Sequence, residues 1–214
     1  MAYNIVYRGG EGEITEKKSR FIATVQPVHS EEEALEFING LKKKYWNATH
    51  NCSAFVVGER QELQRCSDDG EPQGTAGRPM LEVLLGADIH DAAVVVTRYF
   101  GGTLLGTGGL VRAYSKAVQA GLAESEVIEK IKGSRLTIGT DYNSIGKLQY
   151  LLGQRGIPVV DSVYAEAVET TVLVRREQAA ELIDAVTEAT NGKAVCREEQ
   201  NVYFAFAGKE PVLF

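Results

Sequence analysis

The sequence predicts a two-domain α+β protein, and three observations carry that prediction. Stretches rich in apolar and β-branched residues recur along the chain, helical periodicities are interleaved with them, and the pattern restarts after Glu124-Ser125-Glu126. The chain of 214 residues is long enough for two small domains, here divided near Ile128 into 1–128 and 129–214. A 44% hydrophobic and 24% charged composition is that of a globular chain, since disorder needs fewer apolar residues and more net charge.

In the first domain, residues 20–28 (RFIATVQPV) read as a strand. Ser30 with Glu33 three positions later forms a capping box, and Ala34, Leu35, Ile38, Leu41 and Tyr45 then recur at helical spacing, so the spacing predicts a helix over 31–45. Lys42, Lys43 and Lys44 suit its negative C-terminal end. Residues 51–59 read as a strand that pairs with 61–67 through Gly58-Glu59-Arg60, and Asp68-Asp69-Gly70-Glu71-Pro72 reads as a turn. A helix is expected from about Pro79. Residues 91–100 (DAAVVVTRYF) are almost wholly apolar up to Arg98, as expected of a strand covered on both faces. After a glycine-dense loop, helical periodicity returns over 110–122. In the second domain the expected order is strand 132–140, helix 142–152, strands 157–166 and 167–175, helix 177–190 and strand 195–206. That β-α-β-β-α-β order is the ferredoxin-like one.

Composition narrows function. The N-terminus has no basic segment followed by an apolar one, and apolar runs such as 92–96 fall far short of the roughly 18 residues that span a bilayer. A cytoplasmic protein with no membrane partner is expected. Three cysteines without a CxxC fit that compartment; Cys52 and Cys66 lie in strand patterns and are expected to be buried free thiols. A net charge of −6 argues against a broad non-specific nucleic-acid clamp. It leaves room for a local basic patch, because 130–155 carries Lys130, Lys132, Arg135, Lys147 and Arg155 against Asp141 alone.

Several motifs together resemble one family. Residues 77–106 (GRPMLEVLLGADIHDAAVVVTRYFGGTLLG) are similar to the signature segment of the IMPACT/YigZ family. So are Lys18-Ser19-Arg20-Phe21, His50-Asn51-Cys52, the 68–72 turn, Gly74-Thr75-Ala76-Gly77 and Gly108-Gly109-Leu110-Val111-Arg112-Ala113-Tyr114. The resemblance covers roughly 15–122, and the C-terminal part resembles the extra domain of bacterial YigZ-type members. It implies a first domain similar to domain two of a small-subunit ribosomal protein, and a second similar to domain V of elongation factor G. It further implies translation-linked binding to RNA, the ribosome or a translation-related protein. Eukaryotic IMPACT members restrain a translation-control kinase by competing for its activator, through a chain with a different N-terminal domain.

Two constellations are candidates for that binding. In the first, Gly101, Gly102, Gly106, Gly108 and Gly109 free backbone amides at the start of a helix, where Arg98 and Arg112 can supply charge-assisted hydrogen bonds to an anion or an RNA phosphate. This is neither a Walker loop nor a dinucleotide fingerprint, and no cofactor or metal is expected. The competing readings are a glycine-permitted strand-to-helix crossover with Arg98 paired to Asp68 or Asp69, and nucleotide-dependent catalysis. The second constellation is His50, Asn51, Asp68, Asp69 and Glu71, brought together if the hairpin forms. It can contact a ligand, serve a hydrolase through His50 with Asp68 or Asp69, or be a satisfied hydrogen-bond cluster. A protein-interaction module without nucleic-acid contact is a further reading. Lys17, Lys18 and Arg20 are either solvated surface or part of one phosphate-facing patch with Arg98 and Arg112.

Overall fold

The computed structural model describes residues 2–208 and 210–214, in two compact units: Tyr3–Glu129, and Lys130–Phe214 with Ala2. The N-terminal unit is built on a five-stranded antiparallel sheet. Its strands are β2 (Glu11–Glu16), β3 (Ser19–Pro27), β4 (His50–Val57), β5 (Leu63–Ser67) and β7 (Ala92–Tyr99), in the order β2-β3-β7-β4-β5. Outside it, β1 (Ala2–Arg8) and the two-residue β6 (Ile89–His90) pair in parallel.

Helices cover both faces of the five-stranded sheet. Along β7, Val94 and Val96 point to one face with Phe21, Ala23, Cys52 and Ala54, where α2 (Gly77–Gly86) and α3 (Thr107–Ala123) pack. Ala93 and Val95 point to the other, against Ala34, Ile38 and Leu41 of α1 (Glu31–Lys44). That two-sided burial accounts for the continuous apolar run, although the sheet is antiparallel. The helix at 31–45 forms as expected: Ser30 Oγ accepts from the Glu33 amide at 3.2 Å, and the Glu33 carboxylate reaches back to the His29 amide at 2.7 Å. The second strand of the predicted hairpin begins at Leu63 because Gln61 sits at φ 55, in the left-handed region.

In the C-terminal unit, β8 (Glu126–Thr140), α4 (Ile145–Gln154), β9 (Val159–Tyr164), β10 (Val168–Arg175), α5 (Arg176–Ala189) and β11 (Val195–Ala207) follow in the expected sequence. The strands pair antiparallel in the order β11-β8-β10-β9, and the edge strand β12 (Glu210–Leu213) adds to β11. Leu136, Ile138, Val172 and Val174 of the sheet close over Leu148 and Leu152 of α4 and Leu182 and Val186 of α5. Among the described residues no helix is long and apolar enough to cross a membrane.

The seating of α3 on the sheet gives a paired stability prediction. A Cβ at Gly12 of β2 would lie 2.3 Å from the Ala120 carbonyl carbon of α3, whereas one at Gly40 of α1 meets nothing within 4 Å. Gly12→Ala is expected to cost about 1–3 kcal/mol by overpacking. Gly40→Ala is expected to gain about 0.5–1 kcal/mol from helix propensity and a less flexible unfolded chain. Urea unfolding of both variants checks the contrast, and equal midpoints would contradict this packing of β2 on α3.

Candidate functional site

The turn that follows β5 folds back over the start of β4, and its two aspartates are consumed in holding it there. Asp68 accepts from the amides of Gly74 (2.8 Å), Ala76 (3.1 Å) and Gly77 (2.8 Å), capping α2, whose own N-cap residue is an alanine. Burial alone would raise its pKa, but those three amides outweigh burial and hold the carboxyl below its ordinary value. Asp69 accepts from the Asn51 amide at 2.7 Å and pairs with Lys42 at 2.6 Å. The Asn51 side chain is tied to Thr97 and to the Tyr45 carbonyl.

Glu71 is the buried acid of the cluster. One of its oxygens accepts from the Arg98 guanidinium and, at 2.7 Å, from the Tyr114 hydroxyl. Arg98 is only 5% exposed. It reaches Ser19 Oγ at 3.4 Å and lies against the rings of Phe21 and Phe100. Its Nε has no hydrogen-bond partner. The pair therefore unites β7, the 68–72 turn, α3 and β3 around one desolvated charge couple. His50 stands beside it, with Nδ1 2.9 Å from the Asp69 carbonyl and Nε2 3.9 Å from the free Glu71 oxygen. His50, Glu71 and Arg98 floor a cleft of about 400 Å³ whose walls are mostly apolar.

The glycine bend is open: Gly102, Thr103, Leu104, Gly106, Thr107 and Gly108 are exposed. Its glycines serve different ends. Gly102 and Gly106 hold φ near 80 and 75, and Gly101 backs onto the chain at Lys18, where a Cβ would lie 2.0 Å from the carbonyl carbon. Gly108 and Gly109 lie in the first turn of α3. On the other side of Leu105 from the cleft is a polar hollow of about 160 Å³, lined by Lys17, Arg112 and Lys116 together with Glu16 and Gly109. The side chains of Lys17, Arg112 and Lys116 make no ion pair or hydrogen bond among the described residues.

Comparison with known proteins decides the family. Residues 17–122 match the Impact N-terminal domain, and 138–193 match a domain of unknown function, DUF1949. The chain is 44% identical over 202 residues to the IMPACT family member YvyE of Bacillus subtilis, covering 94% of this chain and 93% of the relative. It belongs to the IMPACT family. The family member YigZ of Escherichia coli is 35% identical over 178 residues, 82% of this chain and 87% of that one. The crystal structure of a hypothetical protein is similar at TM-score 0.58 and 32% identity, over 91% of this chain and 96% of the other.

This IMPACT-family site departs from the sequence reading in specific ways. Arg98 pairs with Glu71 rather than with Asp68 or Asp69, so its charge is compensated in the core. Arg20 is clamped by Glu13 through two contacts of 2.7 Å. A single patch of Arg20, Arg98 and Arg112 is therefore not formed, and of the early basic cluster Lys17 joins Arg112 instead. His50 meets the backbone of Asp69 rather than either aspartate's carboxylate, which removes the His–Asp dyad a hydrolase would use. Cys66 is exposed, not buried. In the 130–155 stretch, Lys130 and Lys132 lie over the rings of Tyr203 and Phe214, and Arg155 pairs with Glu181. Tyr114 and Lys116 were missed as site residues: Tyr114 reads as one more member of the apolar stripe of α3, and Lys116 shows only as the residue four after Arg112. Among the described residues no group of three or more His, Cys, Asp or Glu is placed to hold a metal ion.

Two predictions follow from the buried groups. Arg98→Met leaves Glu71 charged without its counter-ion and is expected to cost about 3–5 kcal/mol in urea unfolding, with much of the loss recovered when Glu71→Leu is added. A loss below about 1 kcal/mol, the range of an exposed pair, would show that the pair is not desolvated. Burial pushes the Cys52 thiol from 9.0 up to about 12, opposed by its contact with the Tyr114 hydroxyl. The folded state then holds a proton that the unfolded chain releases, so stability falls as pH rises from about 9 toward 12. Cys52→Ala should flatten that alkaline decline. Iodoacetamide at neutral pH should label Cys66 in the native protein and spare Cys52.

Proposed function

We propose that this chain is a non-catalytic, translation-linked regulator that binds RNA through phosphate contacts in the hollow formed by Lys17, Arg112 and Lys116. The observation that carries this reading is the charge state of the cations. Arg20 and Arg98 are neutralised by Glu13 and Glu71, while the three around the hollow are unpaired and meet at the first turns of α3. Family membership supports the translation link, which the resemblance of the motifs implied. The backbone supports the choice of site. Lys17 and Lys18 form the two-residue turn between β2 and β3 at φ 45 and 67, a conformation for which Asn-Gly is the usual choice. Holding non-glycine residues there costs on the order of 1 kcal/mol each, and the turn so formed places Lys17 at the hollow.

Three cations engaging phosphates give a shallow salt dependence. For a labelled single-stranded RNA followed by fluorescence anisotropy, log affinity is expected to fall against log salt with a slope of about −2. Arg112→Ala with Lys116→Ala should remove most of the binding, and Arg20→Ala should leave it unchanged. The reading fails if the protein ignores RNA at low salt, or if the double variant binds as tightly as the parent. Capture of a protein partner that is insensitive to salt would replace it with a protein-interaction role.

A further inference from the structure

The cleft on the other side of Leu105 has a different chemistry, set by the protonation of His50. The Asp69 carbonyl 2.9 Å from His50 Nδ1 can only accept, so Nδ1 carries a proton, and with that one proton on the ring Nε2 presents a lone pair. Of the two Glu71 oxygens, one is occupied by Arg98 and Tyr114, and the other receives no hydrogen bond among the described residues. Two acceptors thus face each other 3.9 Å apart at the floor of the cleft, too far to bond and with no donor between them. A nitrogen bearing two hydrogens can sit about 2.8 Å from both. Glu71 is already balanced by Arg98, so the floor calls for a neutral donor head rather than a cation.

The rim supplies the complement. Gly106 and Thr107 line the cleft where α3 begins, and no side chain caps that helix, so first-turn amides are available to an oxygen. Arg98 lies at the floor beneath them, and its Nε, itself buried, has no hydrogen-bond partner among the described residues. Pro72, Phe100, Leu104 and Leu110 make the walls, with Leu104 82% exposed at the mouth. We propose that the cleft binds a small molecule with a primary carboxamide head on a branched or aromatic apolar body, its NH2 shared between His50 Nε2 and Glu71 and its carbonyl turned toward the start of α3. The cleft volume, about 400 Å³, lies in the range of small-molecule sites.

Isosteres test this directly. Isovaleramide and isovalerate share one body and differ in that the acid has only acceptors to offer the two floor acceptors. Protein labelled with 15N-histidine is titrated with each, reading the His50 ring resonances and the melting temperature. Isovaleramide is expected to shift the Nε2 resonance saturably and raise the melting temperature, isovalerate to bind at least about tenfold more weakly, and His50→Ala to lose the amide response. Equal or tighter binding of isovalerate overturns the proposal, as does no response to either compound. So does a free protein whose His50 carries its proton on Nε2. RNA affinity of His50→Ala should match the parent, which keeps this test separate from that of the hollow.

Discussion

A charge couple withdrawn from water, Arg98 with Glu71, is the constraint around which the N-terminal unit is arranged. Desolvating two ions costs several kcal/mol each, and their attraction repays it only where further hydrogen bonds complete the shell. Here the Tyr114 hydroxyl completes Glu71, while Ser19 and the faces of Phe21 and Phe100 surround Arg98. These groups come from three segments: α3, β3 and the end of β7. Replacing the couple with apolar residues of like volume would often be neutral or stabilising, so stability is a poor reason for its presence. Its consequence is geometric: it fixes the 68–72 turn against β7 and α3, and it turns an otherwise apolar cleft into one with a neutral, directional floor.

That neutrality separates two sites that lie side by side. Leu105 borders both the cleft and the hollow, so the bend acts as a partition. On one side the only arginine is compensated, and recognition must come from hydrogen-bond direction and apolar contact. On the other, three cations without ion pairs among the described residues, beside Glu16, present charge with little shape. In a chain of net charge −6, such a cluster is felt over roughly a Debye length, about 8 Å at physiological salt. Its field is therefore local, and it leaves the net charge of the whole chain negative.

What the sequence disclosed follows the same logic. Periodicity showed the helices, the two-sided burial of β7 and the order of the C-terminal unit, because burial imposes a period on many residues at once. The second constellation was also legible, since a hairpin forces residues near 50 and 68 together. Ion pairing was not legible. Which of Asp68, Asp69 and Glu71 meets Arg98 depends on where one turn directs three neighbouring side chains, and no spacing rule selects among them. The partner of Arg20 was hidden for another reason: β2 (Glu11–Glu16) is short and contains a glycine, and without that strand Glu13 has no place opposite β3. The glycines of the bend looked like one motif, yet they divide into close approach at Gly101, positive φ at Gly102 and Gly106, and the first turn of α3 at Gly108 and Gly109.

Ser19 shows how the core and the hollow are mechanically one assembly. Its hydroxyl accepts from the Gly101 amide at 3.1 Å and lies 3.4 Å from the buried Arg98 guanidinium. Gly101 in turn backs onto the chain at Lys18, a contact that only a residue without a Cβ allows. The position of the lysine turn is thus set by the bend, the bend is held by Ser19, and Ser19 is held by the arginine that Glu71 keeps in the core. Lys17 approaches the hollow from this turn, whereas Arg112 and Lys116 approach from α3, the helix that Tyr114 also ties to Glu71. Mutual repulsion of these cations is opposed by the packing of the β2-β3 hairpin on α3 and by contacts that run from both elements to Glu71. The buried acid joins both chains of contact, so a residue that does not line the hollow helps to fix where its cations stand.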